Sequence, residues 1–191
     1  MTRLVLLGPP GAGKGTQAKL LSDRLGVPAI STGDIFRANV AEGTELGRTV
    51  QEYLNAGKYV PDAVTNQMVR ERLAQPDAAE GFILDGYPRT TDQVRELDDM
   101  LADVGAKLEH VLEIAADTDE LVRRLAKRAV EQGRSDDTEE VIRTRQQVYA
   151  EQTAPLVEVY SDRGLLRSVD GLGDIPEVTS RLVSALGLQT A

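Results

Sequence analysis

A glycine-rich segment with the sequence GPPGAGKGT occupies Gly8–Thr16 near the start of the chain. It follows an apolar run typical of a strand, Leu4–Leu7, and precedes a segment with helical spacing that begins at Lys14. Glycines allow consecutive backbone N–H groups to turn inward around an oxyanion, and the positive end of the following helix points at the same place. Because Lys14 can also reach outer phosphates, the segment predicts a site for a nucleoside triphosphate. A tight turn without a ligand is the alternative, and the strand, the lysine and the helix together disfavour it.

The loop departs from the general phosphate-loop pattern at one position. A serine or threonine normally follows the Gly-Lys pair and ligates magnesium through its hydroxyl group. Here Gly15 takes that place and Thr16 comes one residue later. We therefore expect magnesium to be held more by phosphates and water than by protein ligands.

Length, charge and cysteine content limit what the chain can be. Its 191 residues suit one α/β domain with a small insert. The net charge of −9 disfavours a surface for nucleic acid or an anionic membrane, and the absence of cysteine excludes disulfides and thiolate zinc sites. The chain opens on a strand rather than a leader, and no apolar run approaches the ~20 residues that cross a bilayer. We expect a cytoplasmic protein, and monomer is the default because nothing demands an oligomer.

Short apolar runs separated by helical segments predict a doubly wound α/β domain with a five-stranded parallel sheet. Helix boundaries support this alternation: Gly26 ends the first helix, Thr90 or Thr91 caps a later one, Thr118 caps the next, and Pro176 lies in the first turn of the last. The strand predictions are Leu4–Leu7, Val27–Ile30, Phe82–Leu84, Val111–Ile114 and Leu165–Val169.

Two stretches depart from this alternation. Between the second and third predicted strands, two or three helices occur without a strand, with breaks at Gly43, Gly57 and Pro61, which predicts a small helical insert. Ala129–Thr138 reads as a polar loop between two arginine-bearing helices and is a candidate lid. The helix from Glu139 should kink or end near Ala154-Pro155.

Five arginines lie at the ends of elements rather than along solvated helix faces. Each alone is more often a surface residue, but Arg89 directly follows the carboxyl end of a predicted strand, where open parallel sheets bind ligands. Closing the candidate lid would bring guanidinium groups onto phosphates held by the glycine loop, an arrangement suited to phosphoryl transfer. The five are Arg37, Arg89, Arg128, Arg134 and Arg145.

The remaining ionisable residues indicate which kind of phosphoryl acceptor the site suits and which side chain could hold magnesium. A phosphate acceptor is already an ionised nucleophile and needs no general base, and the surplus of arginines favours such an acceptor. His110 is expected at the foot of a strand, the wrong end for ligand chemistry, and is interpreted as structural. Asp85, at a strand end, is a candidate to hold magnesium through water, with a plain turn aspartate as the alternative. Asp136 and Asp137 either orient lid arginines or cap a helix.

Four segments together resemble the adenylate kinase family over nearly the whole chain. The resemblance implies an enzyme that interconverts ATP plus AMP with two ADP, uses magnesium and serves adenine nucleotide homeostasis. It also implies a P-loop core of residues 1–30, 61–127 and 139–191, an AMP-binding insert of residues 31–60 and a short lid of residues 128–138. The segments are Gly8–Thr16, Ser31–Asp34 with Arg37, Asp85–Arg89 with Gln93, and Thr153–Leu156.

The resemblance also implies roles for individual residues. Lys14 would bridge the transferring phosphoryl group, and the catalytic set would be Lys14, Arg89, Arg128, Arg134 and Arg145. Residues implied to bind ATP are Gly11, Ala12, Gly13, Lys14, Gly15, Thr16, Arg128 and Gly173. Residues implied to bind AMP are Thr32, Arg37, Lys58, Tyr59, Val60, Gly86, Tyr87, Pro88, Arg89, Gln93, Arg134 and Arg145.

The choice of base rests on side-chain chemistry. The amide of Gln93 can match the amino donor and a ring-nitrogen acceptor of adenine, and Thr32 adds shape. A pyrimidine monophosphate kinase would resemble Ser-Ala-Gly-Asp at Ser31–Asp34 and carry an asparagine soon after Arg89, whereas this chain has Thr32 and Thr90. A small-metabolite kinase and a nucleotide sensor without turnover are further alternatives. The lid is too short for a folded hairpin and has no cysteine for zinc.

Overall fold

The structure is a computed structural model that describes residues 2–132 and 138–188. Its five strands form one parallel sheet in the order β2-β3-β1-β4-β5, which confirms the predicted fold class. The strands are β1 Thr2–Leu7, β2 Ala29–Ser31, β3 Gly81–Asp85, β4 His110–Ala115 and β5 Leu166–Asp170. The strand that carries the glycine loop, β1, therefore lies at the centre of the sheet.

Helices cover both faces of this sheet. The α-helices are α1 Lys14–Leu25, α2 Thr32–Glu42, α3 Glu45–Asn55, α4 Asp62–Leu73, α5 Thr91–Asp103, α6 Thr118–Gln132, α7 Glu139–Val148, α8 Leu156–Asp162 and α9 Ile175–Ala185. A short 3₁₀ helix spans Pro76–Ala78, and a π-helical segment spans Tyr149–Thr153. None of the described helices has both the length and the apolar character needed to cross a membrane.

The central strand shows how the sequence builds two cores. Successive side chains of a strand point to opposite faces, so Val5 and Leu7 pack into one cluster with α5 and α8, and Leu4 and Leu6 pack into the other with α1 and α9. All four are buried. The continuous apolar run of β1 thus reflects burial on both faces of a parallel sheet.

The predicted helical insert is present between β2 and β3. Helices α2 and α3 end at Gly43 and near Gly57, both in the left-handed conformation, and α4 begins directly after Pro61. Phe36 of α2 and Val50 of α3 are buried in the same cluster as the sheet side chains Val5 and Leu84. The insert is therefore packed onto the core.

Several predicted boundaries were wrong. Strand β2 begins at Ala29 rather than Val27, because Pro28 has no N–H to give to a ladder. In the first turn of α6, the Asp117 carboxylate accepts the backbone N–H groups of Asp119 and Glu120, and Thr118, predicted to precede the helix, is its first residue. The predicted break near Ala154-Pro155, by contrast, is confirmed: the helix from Glu139 continues as a π-helical segment after Val148 and ends at Thr153, and the next helix begins at Leu156.

The described part of the candidate lid differs from the predicted polar loop. Residues 129–132 belong to α6, and α7 begins at Glu139. Gly133, Arg134, Asp136 and Asp137 lie outside the described residues. Thr138 caps α7 by accepting the N–H of Val141.

Candidate active site

The glycine loop joins β1 to α1 at the carboxyl edge of the sheet. Gly8 has φ +147, and a Cβ there would lie 2.7 Å from the carbonyl oxygen of Ile114, so only glycine fits between the loop and β4. Gly13 has φ +94 and precedes the first residue of α1 with open space around it. There is thus open space beside the N-terminus of α1, where an anion-binding loop would hold its ligand.

Lys14 folds back over this loop. Its ammonium group donates hydrogen bonds to the carbonyl oxygens of Gly8, at 2.7 Å, and Pro9, at 3.1 Å. Burial lowers the pKa of Lys14 from 10.5 to about 8, although Asp85 acts in the opposite direction. The cationic groups of Arg89, Arg145 and Arg128 lower this pKa further. The protein thus brings positive charges together before any anion is bound.

Asp85 ends β3 beside the glycine loop. Its neighbours in the sheet are Leu6 of β1 and Ser31 of β2, and its carboxylate lies 3.6 Å from where a Cβ of Gly15 would stand. Asp85 is nearly buried, at 9% exposure. No group of three or more possible metal ligands occurs among residues 2–132 and 138–188. A carboxylate beside a phosphate loop, without further protein ligands, fits a cation carried mainly by phosphates and water.

One cavity runs from the glycine loop to the helical insert. It brings together residues that are distant in sequence, since its walls come from β1, α1, α2, the segment after β3, and α7. The sequence-predicted residues in its lining are Lys14, Thr32, Arg37, Lys58, Tyr59, Val60, Gly86, Pro88, Arg89, Gln93 and Arg145. The cavity therefore joins the predicted triphosphate loop to the predicted monophosphate pocket.

Arg89 is held from several sides. Its Nε donates to the carbonyl oxygen of Gly86 at 2.8 Å, and its guanidinium carbon lies 4.8 Å from the centre of the Tyr59 ring. Its carbonyl oxygen accepts from Thr153 Oγ1 at 2.8 Å, and Thr153 Oγ1 also lies 2.6 Å from Tyr59 Oη. A guanidinium stacked on an aromatic ring and bonded to backbone loses little freedom on binding an anion.

The two residues predicted to recognise the base, Thr32 and Gln93, are buried and polar. Gln93 and Thr32 are each 2% exposed. Thr32 Oγ1 donates to the carbonyl oxygen of Gly86 at 3.0 Å, so its hydroxyl is used within the protein. The amide oxygen of Gln93 accepts the backbone N–H of Arg89 at 2.7 Å, and its nitrogen donates to Asp62 at 2.6 Å.

The remaining arginines differ in how closely they approach the cavity. Arg37 lines it and pairs with Asp34 at 2.5 Å. Arg145 lines it from the last turn of α7. Arg128 of α6 is half-buried and is not in the lining, although its charge acts on Lys14. Arg134 lies outside the described residues.

Two residues predicted to contact a nucleotide, Tyr87 and Gly173, do not line the cavity. Tyr87 is fully buried and its hydroxyl donates to Asn66, so its side chain faces the core rather than the cavity. Gly173 lies in the loop after β5, at the same sheet edge but outside the cavity lining. His110 begins β4 at the opposite edge, as predicted.

Sequence reasoning missed the apolar and hydroxyl-bearing part of the cavity wall. Phe36, Leu54, Thr65 and Tyr149 line the cavity from α2, α3, α4 and the π-helical segment. Helical periodicity marks Phe36 only as a core residue. These residues line the cavity because of how the insert packs, and periodicity along the sequence does not predict that packing.

The fold and the site define a class of protein: an α/β protein whose phosphate loop opens into an arginine-lined cavity. The family model described as adenylate kinase matches residues 6–165. Relatives named adenylate kinase occur in Kocuria rhizophila, 63% identical over 97% of this chain and 99% of that protein, and in Nocardioides sp., 58% identical over 96% of each. Another, from Thermobifida fusca, is 59% identical over 96% of this chain and 97% of that protein. The chain belongs to the adenylate kinase family and is a phosphotransferase.

Proposed function

We propose that the cavity binds two adenine nucleotides end to end and that the chain transfers a phosphoryl group reversibly from ATP to AMP. The observation that carries this proposal is the single cavity shared by Lys14 of the glycine loop, Arg89 and Arg145 of the core, and Gln93 of the base pocket. ATP phosphates occupy Gly11–Thr16, and AMP lies against the insert.

Catalysis in this proposal rests on position and fixed charge. A migrating phosphoryl group spreads negative charge over its oxygens, and Lys14, Arg89 and Arg145 surround the place where that charge develops. Arg128 supplies further positive charge from α6. Its effect on the pKa of Lys14 indicates that the field of Arg128 already reaches this place. Arg134 is proposed as a further cation of the lid.

No general base is required. The attacking atom is an ionised phosphate oxygen of AMP, which needs no proton removed. His110, the only histidine, lies at the opposite sheet edge. Asp85 is placed to meet the cation that accompanies ATP, and we assign it the role of holding magnesium through water. Bound magnesium neutralises phosphate charge.

The insert and the lid are proposed to close over the two nucleotides. Residues 31–60 form the AMP-binding insert, with Arg37 and the backbone of Lys58–Val60 facing the cavity, and residues 128–138 form the lid. Gly86–Arg89 completes the AMP pocket, and Gly173 contacts the adenine of ATP. Closure excludes water, which would otherwise accept the phosphoryl group.

The test is a coupled assay of ADP formation by purified protein with Mg-ATP and each of AMP, UMP, CMP and a hydroxyl acceptor. We expect AMP to be the preferred acceptor, with Lys14→Met lowering turnover by orders of magnitude while the fold is retained. Preference for UMP or CMP would instead identify a pyrimidine monophosphate kinase. Binding of ATP and AMP without ADP formation would identify a sensor and contradict the proposal.

The cytoplasmic location and the monomeric state expected from the sequence remain predictions. Size-exclusion chromatography with light scattering measures the second: a mass near the 20.7 kDa of one chain is expected.

A further inference from the structure

Asp62 is a residue to which neither the sequence motifs nor the proposed mechanism gives a role. It is the first residue of α4 and follows Pro61, at the point where the chain leaves the insert. Its two carboxylate oxygens face two residues at the start of α5, the N-cap Thr90 and the helical residue Gln93. Oδ1 accepts from the Gln93 amide nitrogen at 2.6 Å, and Oδ2 accepts from Thr90 Oγ1 at 2.9 Å.

These contacts decide which way the Gln93 amide faces. The backbone N–H of Arg89 can only donate, so its partner at 2.7 Å must be the amide oxygen of Gln93. The carboxylate of Asp62 can only accept, so its partner must be the amide nitrogen. Both neighbours therefore favour one orientation, and a flipped amide would place oxygen against carboxylate and nitrogen against N–H.

The fixed orientation leaves one hydrogen-bond donor and one acceptor of Gln93 for a ligand. The amide uses one of its two N–H groups on Asp62 and one of its two oxygen lone pairs on Arg89, and the residue lines the cavity. A 6-aminopurine presents an amino donor beside a ring-nitrogen acceptor. A 6-oxopurine presents the reverse order, an oxygen acceptor beside a ring N–H donor. An amide that cannot flip matches only one of the two.

We propose that Asp62 is a positioning residue that holds the Gln93 amide in the orientation selecting 6-aminopurine over 6-oxopurine monophosphates. This inference rests on the proposed function, because it takes AMP as the acceptor. A charged acceptor suits the task, since its hydrogen bonds are stronger than those of a neutral group. Asp62 itself does not touch the nucleotide.

The experiment compares kcat/KM for AMP with kcat/KM for IMP, using Mg-ATP as donor, in wild type and Asp62→Asn. The asparagine keeps the size of the side chain but offers an amide that can donate as well as accept, so residue 62 no longer enforces the orientation of the Gln93 amide, and only the backbone N–H of Arg89 still favours it. We expect the AMP-to-IMP ratio to fall about tenfold or more. Gln93→Ala should lower the ratio further, because it removes the amide that is proposed to bind the purine base.

A matched control is Asp92→Asn, which removes an exposed carboxylate in the first turn of α5; in the described contacts this carboxylate pairs with Arg95 and makes no hydrogen bond to the Gln93 side chain. It should leave the ratio unchanged. If Asp62→Asn does not fold, Asp62→Glu keeps the charge but displaces it by one methylene, and its ratio should also fall. A folded Asp62 variant that retains the wild-type ratio would overturn the inference, whereas absence of ADP formation by wild type would contradict only the proposed function.

Discussion

At the residue scale, the cationic side chains of the site are held in place by contacts with neighbouring backbone and side-chain groups. Lys14 is bonded to the loop it belongs to, and Arg89 is stacked on Tyr59 and bonded to Gly86. Each cation is therefore ordered before substrate arrives, which lowers the entropic cost of gripping a phosphate. Two predictions belong to this scale.

The first concerns the ionisation of Lys14, whose pKa in the free protein is lowered to about 8 by burial. If the ammonium form alone binds phosphate, the Kd for ATP should rise about tenfold for each pH unit above that value. Calorimetric titration between about pH 6.5 and about pH 9.5 measures this, and Lys14→Met should bind weakly with a flat profile over that range. A flat wild-type profile would show that Lys14 does not bind the phosphates as a cation.

The lowered pKa of Lys14 also affects how the free energy of unfolding depends on pH. The unfolded chain binds more protons at this group than the folded chain between about pH 8 and pH 10.5. The cost of keeping Lys14 charged in the folded protein therefore shrinks as pH rises through this window, so this group makes unfolding less favourable there.

The second prediction concerns Arg89. Arg89→Ala should lower kcat by about 10³-fold or more, because an oriented guanidinium acts where transition-state charge develops. Arg95→Ala is the control: Arg95 is exposed on α5 and pairs only with Asp92 in the described contacts. Steady-state kinetics and thermal melting of both variants make the test. Near-normal turnover of folded Arg89→Ala would remove Arg89 from the mechanism.

At the element scale, the insert depends on a close approach of two helices. Gly47 of α3 is buried, and a Cβ there would lie 2.7 Å from the backbone nitrogen of Val40 in α2 and nearer still to the carbonyl of Asn39. Helix α2 carries Thr32 and Arg37 into the cavity. The spacing of the two helices therefore fixes one wall of the cavity, the wall proposed to bind AMP.

Gly47→Ala should accordingly destabilise the protein by about 1–3 kcal/mol, although alanine normally favours a helix. The KM for AMP should rise while the KM for ATP changes little, because α2 must move. Thr49→Ala, at an exposed position of the same helix, should change neither. Denaturant unfolding and steady-state kinetics measure both effects, and stabilisation by Gly47→Ala would contradict the packing argument.

At the scale of the whole molecule, the cavity collects positive charge although the chain as a whole is negatively charged. The chain carries a net charge of −9, yet Lys14, Arg37, Arg89 and Arg145 meet around one cavity. Binding of anionic nucleotides must therefore rely on local positive charge, because the net negative charge of the chain repels them. The mutual repulsion of the surplus carboxylates also disfavours the compact folded state.

Salt concentration should separate the effect of charge on nucleotide binding from its effect on the stability of the fold. Raising NaCl from about 0.05 M to about 0.3 M shortens the screening length, so the KM for both nucleotides should rise severalfold. The melting temperature of the ligand-free protein should rise over the same range, because repulsion among the surplus carboxylates is screened. Kinetics and calorimetry in the same buffers make the comparison. A melting temperature that falls with salt would show that favourable ion pairs, not net repulsion, dominate the surface.

Much of the fold and part of the site were predictable because they depend on local patterns. The glycine loop, the five strands and the insert follow from turn residues and apolar periodicity. The errors lie at element ends: the capping role of Asp117, like the unpredicted π-helical segment from Tyr149, depends on local geometry that propensities do not resolve. Arg134 and the rest of the short lid remain predictions.

The sequence by itself determined the glycine loop, the parallel α/β topology and the types of many residues that line the cavity, since these depend on short-range spacing along the chain. Only the tertiary structure decided that Asp62 holds Gln93, that Tyr59 lies against Arg89, and that Tyr87 faces the core. The physical reason is that these contacts join separate helices and loops. Hydrogen-bond orientation and stacking between such elements depend on how the insert packs onto the sheet, which periodicity along one segment does not encode.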